Sequence, residues 1–163
     1  IATAMKPRPP QLSLLLDAAA PDAAARWRDG AHIDYLGGRV TLRLDTACRD
    51  ALLDGSTLHL PLPPEATPRQ IQDGAEAWLR RQAERVIGAE LIMAARRAGR
   101  AVPAHALSFA ARANWAQTDA KGGLRFHWRL IEQPEPVIGQ VVQQALAALP
   151  PPVAEADLFA AAA

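Results

Sequence analysis

Apolar and polar side chains alternate along Val40, Leu42 and Leu44, with Arg39, Thr41 and Arg43 between them, the two-residue period of a half-buried strand. Gly37-Gly38 just before this run supplies a turn, and Ile33 marks the start of the folded part. Past Asp54-Gly55 the alternation returns at Leu58, Leu60 and Leu62, where Pro61 denies the strand a ladder hydrogen bond and assigns it to an edge or an early stop. The two runs are expected to pair as a hairpin with a long connection.

The period then changes. Thr67-Pro68 has the form of an N-cap followed by proline at the first helical position. Ile71, Ala75, Trp78, Leu79, Val86, Ile87, Leu91 and Ala94 follow at three- and four-residue steps, opposite Arg69, Asp73, Glu76, Arg80, Glu84 and Arg97. The pattern runs to Gly99, a span of about 45 Å if unbroken, with Gly88 as the place for a bend. Gly99 and Pro103 end it. Leu107 and Phe109 suggest a short strand, and the turn Asp119 to Gly123 precedes a clearer one, in which Leu124, Phe126, Trp128 and Leu130 alternate with Arg125, His127 and Arg129. Pro134 and Pro136 introduce a final helix over 137–149, stopped by Pro150-Pro151-Pro152.

These elements predict an α+β fold with three regions: a flexible Pro/Ala-rich leader at 1–30, a domain at 31–149 and an Ala-rich tail at 150–163. At 163 residues a single domain can bury its own core. Eighteen basic and 17 acidic side chains give a net charge of +1, so no general attraction to polyanions is expected. Arg80-Arg81 and Arg96-Arg97 are the densest positive stretches, and solvated helix positions suffice for them. Charge or glutamine interrupts every apolar stretch well short of a membrane span, and the expected location is the cytoplasm. Cys48, the one cysteine, excludes an internal disulfide and an all-cysteine metal site.

Candidate chemistry is sparse. His32, His59, His105 and His127 include no pair at helical i,i+4 spacing, and His59 and His127 fall on the polar phase of their strands. They would approach each other only if those strands were neighbours, and a carboxylate partner would still be needed. Arg49 beside Cys48 favours a thiolate, but no histidine lies near it in sequence to act as base. The serines occupy no Gly-x-Ser-x-Gly elbow, and the glycines form no phosphate-cradling loop. Trp78 and Trp128 lie on apolar phases and read as core.

Several blocks in this order carry a resemblance: Asp34-Tyr-Leu-Gly-Gly-Arg-Val-Thr-Leu-Arg-Leu44, Ala77-Trp-Leu-Arg-Arg-Gln-Ala83, Phe126-His-Trp-Arg-Leu130, Pro134-Glu-Pro136 and Val141-Val142. Together they resemble the YgjP-like metallopeptidases, relatives of the SprT-like and zincin peptidases, over about residues 33–149. The resemblance implies a zincin-like fold, with a small, mostly antiparallel sheet packed on a long helix and on a metal-binding helix. In that family one variable residue after the two valines leads to His-Glu-x-x-His, where two imidazoles on one helix face hold zinc and the glutamate activates its water. Here Gln144 stands at the first histidine position, Ala145 at the glutamate and Ala148 at the second histidine, with Ala154 near the place of a third. The family's Ser-Arg-Trp-Gly-Ser-Cys block survives only as Trp115 of Ala113-Asn-Trp-Ala-Gln-Thr118.

Alanine offers a metal no donor atom, and glutamine is no general base. The chain is therefore expected to have no catalytic residues, no bound metal and no cofactor. By family position, Trp115 at the cleft edge and His127 just before the strand tryptophan are placed at a groove. The expected function is a catalytically inactive metallopeptidase-like domain with a protein-binding or structural role and a protein partner. A zinc-dependent hydrolase using other ligands and a nucleic-acid-associated module are the alternatives, the last disfavoured by the charge balance.

Overall fold

In a computed structural model, residues 23–151 are described. The expectations for the leader before residue 23 and for the tail after residue 151, Ala154 included, lie outside them. The described chain begins with a short helix, α1 (Ala23–Arg26), and continues as β1 (His32–Tyr35), β2 (Gly38–Leu44), β3 (Leu52–Asp54) and β4 (Thr57–Leu60). A long helix, α2 (Pro68–Arg97), separates these from β5 (His105–Ser108), β6 (Ala116–Thr118) and β7 (Leu124–His127). A 3-10 helix (Trp128–Glu132) then leads into α3 (Glu135–Ala148). Trp27, inside the expected leader, is buried in the core, and Gly30 N–H donates to Leu42 C=O at 2.8 Å.

Two small sheets share the helices. One has the order β1-β2-β4-β3 and the other β5-β7-β6. Three ladders are antiparallel (β1–β2, β3–β4 and β6–β7), whereas β2–β4 and β5–β7 are parallel. The expected hairpin between the strands at 40–44 and 58–62 therefore does not form. Alternation fixes which face a strand buries but not the direction of its neighbour. Here residues 45–51 pass over the end of β4 to β3, the turn at Asp54-Gly55 reverses the chain, and β4 returns between β2 and β3, with Leu42 opposite Leu58 and Leu44 opposite Leu60. Leu42, Leu58 and Leu60 lose all their exposure in this arrangement.

Helix α2 follows its sequence signals closely. Thr67 accepts from Gln70 N–H while the Gln70 side chain accepts from Thr67 N–H, a reciprocal capping box ahead of Pro68. The helix continues through Gly88 without a break and stops at Ala98, with Gly99 at φ 64° just beyond. Its buried stripe of Ile71, Ala75, Trp78, Leu79, Ala83, Ile87 and Leu91 joins both sheets, the 3-10 helix and α3 in one hydrophobic cluster. That continuity is what positions α3 against the three-stranded sheet.

The strand expected over 124–130 ends at His127. Trp128, Leu130 and Ile131 remain buried, but they are delivered by the 3-10 helix rather than by strand alternation. Arg80, expected at a solvated helix position, is packed between aromatic faces, its guanidinium carbon 4.9 Å from the Phe109 ring centroid and 5.1 Å from that of Trp128. Arg129 lies 4.6 Å from the Trp128 ring centroid and pairs with Glu132 at 2.8 Å. These stacked cations and their carboxylates hold the 3-10 helix on α2. Burial raises the Glu132 carboxyl above its ordinary value, and Arg129 partly opposes that rise.

Candidate functional site

The segment between β5 and β6 and the turn after β7 form an open groove of about 500 Å³, lined by Arg112, Asn114, Trp115, His127, Arg129 and neighbouring alanines. The β6–β7 pairing brings the two expected groove residues together. His127 N–H donates to Trp115 C=O at 2.9 Å, and the two rings meet edge to face with centroids 6.2 Å apart. Trp115 is 41 % exposed, unusual for an indole with packing available nearby, whereas Arg112 makes no ion pair among the described residues.

His127, on the polar phase of its strand and so expected to face solvent or to be hydrogen-bonded, is buried at 5 % exposure and hydrogen-bonded. The reason is local: the chain leaves strand geometry at this residue, and its side chain becomes the cap of the 3-10 helix. Nδ1 accepts from Arg129 N–H at 3.2 Å, and Nε2 lies 2.9 Å from Ala110 C=O. Those partners assign a neutral ring with the proton on Nε2, because a carbonyl can only accept and an amide N–H can only donate. Both nitrogens are thereby engaged. His127 shapes the groove and pins its rim at Ala110, but it has no free lone pair for a metal and no free base for a reaction.

Gln144, Ala145 and Ala148 lie on α3, with Gln144 and Ala148 exposed and Ala145 half-buried. The helix occupies the place that the resemblance gives to zinc binding, yet this face presents two methyl groups and an amide. Such a donor set does not fit zinc, which is held by thiolate, imidazole or carboxylate. No hydrolytic step through a metal at α3 can be built from these side chains.

A different set of donors converges where residues 45–51 cross the end of β4. Asp45 N–H donates to Leu60 C=O, extending the β2–β4 ladder by one bond. The Asp45 carboxylate then folds back over its own turn: Oδ1 accepts from Ala47 N–H at 2.9 Å, and Cys48 N–H closes the turn on Asp45 C=O at 3.2 Å. Oδ2 receives the Cys48 thiol at 3.4 Å and faces His59 Nδ1 at 3.3 Å. The amide of Ala47, and after it the thiol of Cys48, hold the Asp45 carboxyl below its ordinary value. Burial, and next the adjacent carboxylate, push the Cys48 thiol up. The His59 contact has the distance of a charge pair but not the alignment of a hydrogen bond, and Nδ1 is buried without a hydrogen-bond partner.

In the sequence Cys48 and His59 stand apart, and Asp45 carries no signal of its own. Cys48 lacked a neighbouring histidine because His59 reaches it through strand insertion, and His59 and His127 belong to different sheets and do not pair. The available signal was Asp-x-x-Cys in a turn, followed by a histidine on the polar phase of the next strand to be laid beside it.

The sequence profile of the family described as YgjP-like, metallopeptidase domain, matches residues 11–143. The match covers more than half of the chain and ends at Gln143, one residue before the position of the first motif histidine. Neither a curated protein nor a solved structure matches the chain significantly.

Proposed function

The chain belongs to the YgjP-like metallopeptidase-domain family, and from that premise we propose that it is a non-catalytic member that binds an extended segment of a partner protein. The observation that carries this reading is the pairing of a retained groove with an emptied α3. Trp115 presents its ring at the groove while Gln144, Ala145 and Ala148 supply neither a zinc-binding set nor a base. β6 lies at one edge of the three-stranded sheet beside the groove, and a sheet edge binds an extended chain through backbone hydrogen bonds without any chemistry. Arg112 at the rim selects for an acidic side chain in that segment, and the indole selects for an apolar one next to it.

A library of short peptides displayed against the protein tests this reading. Enrichment of extended sequences carrying an acidic residue beside an apolar one is expected, without cleavage of the selected peptides. Trp115→Ala should weaken their binding at least tenfold, as expected for a central aromatic anchor, in a variant that circular dichroism shows to be folded. Cleavage of the peptides, or binding indifferent to Trp115→Ala and Arg112→Ala, would reject it.

A further inference from the structure

We propose that Asp45, Cys48 and His59 form a binding site for one divalent transition-metal ion, zinc in the first place, on the four-stranded sheet and separate from the α3 face. Among the described residues these three offer a carboxylate oxygen, a sulfur and an imidazole nitrogen within 4.8 Å of one another. The donors are one of each kind that zinc accepts, and thiolate with imidazole favours zinc or cobalt over magnesium or calcium, which take oxygen donors.

Two of the three edges, those that meet at Asp45 Oδ2, have the spacing of a coordination polyhedron, and the third lies within 4.8 Å. Zinc bonds of about 2.0 Å to oxygen and nitrogen and about 2.3 Å to sulfur give tetrahedral edges of about 3.3 Å for O···N and about 3.5 Å for O···S. The corresponding separations are 3.3 Å from Asp45 Oδ2 to His59 Nδ1 and 3.4 Å from Oδ2 to Cys48 Sγ. A thiol hydrogen bond and a loose ion pair do not require both edges to meet at one oxygen. Nor do they explain why a buried ring nitrogen faces that oxygen without hydrogen-bonding to it. A cation between the donors satisfies Nδ1, Sγ and Oδ2 together.

The surroundings hold the donors in place before any ion arrives. Ala47 N–H fixes the second oxygen of Asp45, the outer contact that orients a ligating carboxylate. His59 stands in β4, paired on one side with Arg43 and on the other with Leu52, so its backbone is fixed by two ladders. Binding transfers the thiol proton to solvent, leaving a thiolate, a carboxylate and a neutral imidazole around a doubly charged ion, with no net charge at the centre. Three protein ligands leave one tetrahedral position for water.

Titration of the metal-free, reduced protein with cobalt(II) alone tests the site. The expected result is saturation at one equivalent, with a sulfur-to-cobalt charge-transfer band that zinc abolishes. Cys48→Ser should remove the band, and His59→Gln should weaken binding at least tenfold. In the unaltered protein, one equivalent of zinc should slow alkylation of Cys48 by iodoacetamide at least tenfold, a readout that holds even if a variant fails to fold. Absence of saturable binding, alkylation at the same rate with and without zinc, or a band of unchanged affinity in folded His59→Gln would overturn the proposal. The last of these would assign the metal to Cys48 without His59.

Discussion

Individual residues carry the close constraints of this fold. Gly37 adopts φ 78°, its N–H donates to Glu132 C=O, and the neighbouring Leu36 donates to Ile131 C=O. The β1–β2 turn is thereby latched onto the end of the 3-10 helix. A Cβ at Gly37 would stand 2.8 Å from Pro134 Cγ and 3.1 Å from its Cα, so substitution combines a left-handed backbone with a collision against a rigid ring. Gly37→Ala should cost about 1–3 kcal/mol, read from the urea midpoint. At this scale the sequence was legible where one residue answers one local rule. Thr67 caps, Gly99 ends its helix, and Trp78 and Trp128 are buried. It was illegible where a residue changes role with its element, as His127 does on leaving the strand to cap a 3-10 helix.

Among the elements, α2 was the most legible because thirty residues repeat one period and both ends carry their own signals. The helix is not interrupted at Gly88, where a bend was expected: a glycine permits a kink without imposing one. A Cβ at Gly88 would meet only His105 Nε2 at 3.8 Å, an ordinary contact. Gly88→Ala should therefore stabilise the protein by about 0.5–1 kcal/mol through the lower entropy of its unfolded chain, visible as a higher denaturation midpoint. The strands were less legible. Their inward faces were evident at Val40, Leu42, Leu58 and Leu60, but the partner of each strand was not, since a parallel and an antiparallel neighbour bury the same alternate residues. The Asp45, Cys48 and His59 cluster depends entirely on that pairing, so it was hidden for the same reason.

Across the whole molecule, one buried cluster runs from Trp27 through both sheets to Leu149, and no helix among the described residues is long and apolar enough to cross a membrane. The family was legible because its blocks lie mostly in this shared core and its turns, from the β1–β2 turn through α2 to the 3-10 helix. Of the three motif positions on α3, Gln144 and Ala148 are exposed and Ala145 packs at the edge of the core, while Ile138, Val142 and Leu146 anchor the helix. The motif positions thus lie largely beside the packing face, and a chain without the motif keeps the residues that fix α3. The groove and the cluster on the four-stranded sheet draw on separate strands, and their two tests can fail independently.

The insertion of β4 between β2 and β3 also bears on the order of events in time. The β1–β2 and β3–β4 hairpins each close over a two-residue turn, whereas the seam joining them needs residues 45–51 to be looped out first. Contacts close in sequence form early, and the seam bears the greater loop-closure cost. Truncating a side chain at that seam should therefore slow refolding, while an equally buried truncation in the 3-10 helix should mainly hasten unfolding. Leu58→Ala and Leu130→Ala, each expected to cost about 2–5 kcal/mol, would show this as opposite displacements of the two arms of a chevron plot. If so, the crossing that gathers Asp45, Cys48 and His59 is also the rate-limiting closure, and the three donors come together at that step, before the 3-10 helix has consolidated.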